Sequence, residues 1–275
     1  ARSERSFVPA AGSVGAVVDI DYEKYPLVRI YETHGVDISG SRGNEYFGTC
    51  PFSGKSDKFY VNRKTGLWDS KSAGMSGNVV KFLEEIQEEY KGDLGADEIE
   101  ALAKNRKLPP TAFRNWDMGW TGTHYAIPVR NIDGKIVDIR MYDMAKRQMR
   151  STAGCHVGSL GSEQLKGRTG EPVYICEGEW DAMAMRWLLK KTKAAGLVVA
   201  VPGAGIFKKD WTRWFTGRQV FVLYDHDEPG RKGEQTVHQR IGAVAKSIAF
   251  AHWPEELPNG FDVRDWIVYG FKKGT

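Results

Sequence analysis

The chain has 275 residues, 41% hydrophobic and 27% charged, with a mean hydropathy of −0.45, which suits one large globular domain or two smaller ones. No apolar run approaches the roughly 20 residues that a spanning helix needs, and the start, Ala-Arg-Ser-Glu-Arg-Ser, lacks the layout of a signal peptide. The net charge of +4 points only weakly to an anionic partner, but residues 101–170 hold twelve Lys and Arg against five Asp and Glu.

Residues 1–22 read as a small, polar arm, and the absence of a leading Met suits a fragment or processed product. A short helix is predicted within 23–36, ending at Gly35. Strands at Asn44–Cys50, Asp57–Asn62 and Leu67–Ser70, separated by Ser53-Gly54-Lys55 and Lys64-Thr65-Gly66, predict a three-stranded antiparallel sheet. Asn78–Tyr90 sets Val79, Phe82, Leu83 and Ile86 on one helical face, and Asp97–Asn105 reads as a second helix stopped by Pro109-Pro110. Tyr125–Arg130 and Lys135–Tyr142 read as strands around Ile132-Asp133-Gly134, and 151–170 as loop.

From Pro172 the order alternates. Strands are predicted at Val173–Cys176, Leu197–Val201, Val220–Tyr224 and Ser247–His252. Helices are predicted at Trp180–Lys190, Ile206–Trp214 and Gly233–Ala245. Short apolar strands alternating with helices indicate a mostly parallel sheet covered on both faces. The three cysteines, Cys50, Cys155 and Cys176, are too few and too scattered for a disulfide framework or a Cys-x-x-Cys metal site, and suit a reducing compartment.

Ligands of open α/β sheets lie beyond the carboxyl ends of the strands. Acids stand at three such ends: Glu177-Gly-Glu179-Trp-Asp181, Asp225-His226-Asp227, and Asp262-Val-Arg-Asp265. Helix capping accounts for single acids, such as Asp227 before Pro229, or Glu179. It does not require acids at three ends, whereas hard oxygen ligands suit Mg²⁺ or Mn²⁺. Gly203 and Gly205 would let phosphates approach the backbone. Arg231, near a helix start, is a phosphate candidate. His226 could touch a phosphate or be merely exposed. Trp116, Trp120, His124 and Tyr125 could stack on single-stranded bases, though core packing is the plainer reading. Met183, Met185, Trp187 and Leu188 read as packing. No phosphate-binding loop of the Gly-x-x-x-x-Gly-Lys-Ser/Thr type occurs.

Glu177-Gly-Glu-Trp-Asp181, Pro202-Gly-Ala-Gly205 and Asp225-His-Asp-Glu-Pro-Gly-Arg231 together resemble the Toprim fold, and the extended Asp-x-Asp-x-x-Gly-Arg form resembles its DnaG-type primase branch. Upstream, Tyr46-Phe-Gly-Thr-Cys50-Pro-Phe52, Lys58-Phe-Tyr-Val61 and Gly74-Met-Ser-Gly-Asn-Val-Val-Lys-Phe-Leu83 resemble the zinc ribbon of those primases. Ser53 stands where that family has His, and Asp69, Ser70, Ser72 and Ala73 where it has later Cys ligands. One thiol cannot hold tetrahedral zinc. A zinc-free ribbon is therefore expected, with Phe47, Phe52, Phe59, Leu67 and Trp68 as its core.

The resemblance implies an α+β chain: a small antiparallel zinc-ribbon-like domain (23–92), a basic subdomain (93–170), and a Toprim α/β subdomain with a mostly parallel sheet (171–275). It implies a phage or plasmid primase, alone or fused to a helicase, making short RNA primers on single-stranded DNA in the cytoplasm of a bacterium or an infected host. Glu177, Asp225 and Asp227 would be catalytic. With Asp262, or Asp265 in its place, they would hold two Mg²⁺ or Mn²⁺ ions; Glu177 could instead be a general base. Arg140, Lys146, Arg147, Arg150 and Arg231, with Gly203 and Gly205, would hold template and nucleoside triphosphates; Arg130, Lys135, Lys166 and Arg168 could contribute. A replicative helicase is the expected protein partner, and no membrane. The rivals are a Toprim nuclease, a topoisomerase, which would need a further Tyr-bearing domain, and a catalytically weak module that binds DNA or couples to a helicase.

Overall fold

A computed structural model describes residues 28–273, with side chains described to residue 270. The arm at 1–22 and the start of the first predicted helix lie outside the described residues. The chain divides into two compact units, the first comprising 28–98, 117–129 and 135–157, the second 99–116, 130–134 and 158–273. No helix among the described residues is long and apolar enough to cross a membrane.

In the first unit, α1 (Arg29–Thr33) leads into β1 (Ile38–Arg42), β2 (Glu45–Gly48), β3 (Phe59–Asn62), β4 (Trp68–Ser70) and β5 (Met75–Gly77). These strands form one antiparallel five-stranded meander, two strands more than predicted. The extra strands carry Gly, Ser and alternating exposure, so no apolar run announces them. The Asn78 side chain accepts from the Lys81 N–H at 3.0 Å and starts α2 (Val79–Asp93). Phe59 stacks on Trp68 with centroids 5.2 Å apart, and Phe82 meets Trp68 edge-on at 5.8 Å. Leu67 is not in this core: it is 54% exposed, because alternation sends Trp68 and Ser70 inward and the residue before Trp68 outward. Phe47 is only half-buried.

Where zinc ligands would stand, a chain of hydrogen bonds stands instead. The Ser70 hydroxyl donates to Cys50 Sγ at 3.1 Å and lies 3.2 Å from that of Ser72, which lies 2.8 Å from that of Ser53. Burial pushes the Cys50 thiol up, but the Ser53 and Ser70 hydroxyls and the Ser53 and Phe52 N–H groups outweigh it, and the thiol falls below its ordinary value.

Helix α3 (Ala96–Arg106) precedes β6 (Gly119–Trp120), β7 (Tyr125–Arg130), β8 (Ile136–Asp143) and β9 (Gln148–Arg150), a second sheet with strand order β6-β7-β8-β9. The expected boundary at 92/93 does not separate compact bodies, because a buried polar network crosses it. His34 Nε2 meets Thr152 Oγ1 at 2.9 Å and its Nδ1 meets the Tyr90 hydroxyl at 3.2 Å. The Thr152 N–H donates to Asp138 Oδ1 at 2.8 Å. Burial lowers His34 to about 3 and raises Asp138 to about 6.

The second unit holds β10 (Val173–Cys176), α4 (Glu179–Thr192), β11 (Leu197–Ala200), a 3₁₀ turn (Lys209–Phe215), β12 (Gln219–Leu223), α5 (Glu228–Ile241), β13 (Ser247–Phe250) and α6 (Val263–Lys273). The strands are parallel, in the order β11-β10-β12-β13. Ile206–Trp214 is not an α-helix; the 3₁₀ turn there buries Trp211 and Phe215 beside Phe207. Helix α5 starts at Glu228 rather than Gly233, since Asp227 caps it and Pro229 fits its first turn. Its glycines serve contact: a Cβ on Gly233 would come within 2.5 Å of the Tyr224 ring and 2.7 Å of the Ala204 carbonyl. Close packing there brings the start of α5 onto the carboxyl end of β12.

Candidate active site

Strands β10 and β12 are neighbours in register, Cys176 opposite Leu223, so the residues just beyond them emerge side by side. Glu177 follows β10, and its Oε2 accepts the Asp225 N–H at 3.2 Å. Its carbonyl accepts the Gly203 N–H at 3.0 Å, which draws in the loop after β11. Asp225 and Asp227 lie between β12 and α5; Asp227 Oδ1 takes the Gly230 N–H at 2.7 Å, capping α5. The His226 N–H donates to the Phe261 carbonyl at 2.8 Å, which pins the segment before α6 to the same place.

The electrostatics are unbalanced. Burial raises the Asp225 carboxyl to about 8, helped by the charges of Asp181, Glu177, Asp262 and Asp227. Glu177 is raised by burial and by Asp227, against the N–H groups of Asp225 and Ala204. Burial and Glu177 lift Glu234 on α5 to about 7, with Arg231 opposing. Arg264 is the cation paired directly with these carboxylates: its Nε donates to Asp181 Oδ1 at 3.0 Å and its other arm pairs with Asp262 Oδ2. Asp262 Oδ1 accepts the Asp265 N–H at 2.8 Å. Both Asp262 oxygens, expected on a metal, are thus engaged by the chain itself, and Asp265 supplies a backbone donor. Arg264 belongs to the cluster without a role having been read for it from sequence; Asp181, on the first turn of α4, was read only as one of the strand-end acids and given no role of its own.

Hard oxygen donors with surplus negative charge and one guanidinium fit a divalent cation in chemistry and charge. Among the described residues no three His, Cys, Asp or Glu side chains stand close enough to hold a metal as they are, so the carboxylates would have to draw together around the ion.

The predicted phosphate contacts divide between the units. In the first, a cavity of about 350 Å³ is lined by Arg29, His124, Asp143, Lys146, Arg150 and Ser151 among others. Lys146 Nζ holds Asp143 at 2.7 Å, and Arg150 holds Gln148 at 2.9 Å. Arg140 is buried at 9% exposure, its charge acting on Asp138, and Arg147 is exposed with φ +54°. Arg29 was not foreseen, since it lies more than a hundred residues before Lys146. In the second unit, Gly205 lines a cavity of about 310 Å³ with Glu228, Lys232 and Thr236; Gly203 does not. Arg231 is exposed on the first turn of α5. Lys166 pairs with Asp133 and Arg168 with Glu171. Trp116 and Tyr125 are buried.

No family model matches the sequence, and no curated protein matches it. Solved structures do. The Escherichia coli primase catalytic core superposes with a TM-score of 0.54 at 12% identity, covering 69% of this chain and 75% of that one. The chain has the fold of a DnaG-type primase core. A DnaG catalytic domain bound to single-stranded DNA gives 0.53 at 13% identity, covering 70% and 76%. A chain from a bacteriophage T7 assembly, in which the lagging-strand DNA polymerase meets primase domains bound to an RNA/DNA hybrid and dTTP, gives 0.50 at 20%, covering 62% and 85%. In this primase fold the parallel sheet is the element that gathers the acids.

Proposed function

We propose that this chain is a Toprim-type primase of a phage or plasmid replication system. It would build short RNA primers on single-stranded DNA from nucleoside triphosphates and work with a replicative helicase. The observation that carries this reading is the meeting of Glu177, Asp225 and Asp227 at the ends of β10 and β12 in a primase fold, with Asp225 raised to about 8.

In nucleotidyl transfer a 3′-hydroxyl attacks the α-phosphate of the incoming nucleotide and pyrophosphate leaves. Glu177, Asp225 and Asp227 would hold Mg²⁺ or Mn²⁺. That ion supplies, when bound, positive charge for the triphosphate and for the attacking and leaving oxygens. Asp227 also fixes the start of α5, and through it the exposed Arg231 that would meet a phosphate. Lys146 and Arg150, which line the first unit's cavity, would hold template or nucleotide by charge.

The test is incubation of the chain with single-stranded DNA, Mg²⁺ or Mn²⁺ and labelled ribonucleotides, resolved on a denaturing gel. Short metal-dependent oligomers are expected. Shortened template without new oligomers would make it a nuclease. Binding without either product, also in the presence of a helicase, would leave a DNA-binding module.

A further inference from the structure

Five carboxylates crowd one end of the parallel sheet, and they are not equivalent. Asp181 and Asp262 are 8% and 6% exposed, and both are ion-paired to the Arg264 guanidinium. Asp262 also spends its second oxygen on the N-terminus of α6. Glu177, Asp225 and Asp227 are more open, and among the described residues none of them is in an ion pair.

We propose that Arg264 is a built-in counter-cation that closes Asp181 and Asp262 to divalent metal, confining metal binding to Glu177, Asp225 and Asp227. The proposal rests on the reading of this cluster as a metal site. A guanidinium is permanently charged and its planar fork matches two carboxylates at once. A divalent ion entering there would have to break two charge-assisted hydrogen bonds and sit beside a partly buried positive charge. One guanidinium balances only one of its two carboxylates, so a net negative charge remains behind it. That residual field acts on Asp225 and favours a cation on the open side of the cluster. Arg264 is therefore a positioning residue: it sets how many ions bind and where, without being a ligand.

The test is a count of Mn²⁺ bound per full-length chain, read from the electron paramagnetic resonance of free Mn²⁺, with melting curves in parallel. Arg264→Gln should bind one more Mn²⁺ per chain than the wild type. Arg264→Lys, which keeps the charge, should bind the same number as the wild type. Asp225→Asn should lose wild-type uptake. Wild-type stoichiometry in folded Arg264→Gln would overturn the proposal. If that variant is unfolded without metal, Mn²⁺ should restore its melting transition, and failure to do so overturns the proposal equally. Uptake unchanged in Asp225→Asn would instead overturn the metal reading itself, and this proposal with it. Loss there with no gain in Arg264→Gln would strike the role of Arg264 alone.

Discussion

Asp225 is the most strongly perturbed carboxylate of the cluster. Its folded carboxyl titrates at about 8, against an ordinary 3.8. Between those values the native chain holds a proton that the unfolded chain has released. The contribution of Asp225 to the stability of the metal-free protein therefore falls as pH rises from about 4 to 8, and levels off above. Asp225→Asn removes this dependence and should stabilise the metal-free protein at pH 8 by about 0.5–2 kcal/mol, as replacement of a strained functional group commonly does. Urea unfolding of both proteins at pH 5 and pH 8 checks it; an unchanged pH slope would show that the charge strain lies elsewhere. This perturbation was legible in sequence only as acids at three strand ends. That Arg264 answers two of them was not legible, because it depends on how α6 returns to α4.

Elements fix the positions of these residues, and two small side-chain choices matter most. Gly233 lies inside α5, where Ala would ordinarily gain about 1 kcal/mol in helix propensity. Here its Cβ would press on the Tyr224 ring and the Ala204 carbonyl. Gly233→Ala should instead cost about 1–3 kcal/mol and shift α5 away from β12. Thermal unfolding gives the sign, and a stabilised variant would refute the close-contact argument. Ser70 is fully buried and links Cys50 to Ser72. Ser70→Ala leaves both partners short of a hydrogen bond and should cost about 1–3 kcal/mol; a loss within error by chemical denaturation would mean that aromatic packing alone holds the meander. The core strand β10 was readable residue for residue, because a short apolar run bounded by Glu171-Pro172 and Glu177-Gly178 leaves little choice. The start of α5 was misplaced since Pro229 and two glycines resemble a turn, although Asp227 and Pro229 are a cap and a first turn.

Across the whole molecule, the order of modules read from the sequence is an order of sheets, but not of compact bodies. The basic middle is shared between the two units. Its side chains separate accordingly: Lys146 and Arg150 line a cavity of the first unit, whereas Lys166 and Arg168 are tied into ion pairs of the second. A charge surplus along the chain could not distinguish these fates, since exposure and pairing follow tertiary contacts. Arg150→Ala should therefore weaken single-stranded DNA binding and flatten its dependence on salt by about one charge. Lys166→Ala should leave the salt slope as it is. A salt titration of both variants decides between them, and equal slopes would remove Arg150 from the contact surface.

In the proposed function the carboxylates beyond β10 and β12 perform the chemistry while other groups hold the template. The direct measurement is primer synthesis and single-stranded DNA affinity for Asp225→Asn and the wild type, on the same folded preparations. Synthesis should fall by about 10²-fold or more, as loss of a group stabilising transition-state charge does, with DNA affinity essentially unchanged. Synthesis retained near the wild-type rate would remove Asp225 from the chemistry.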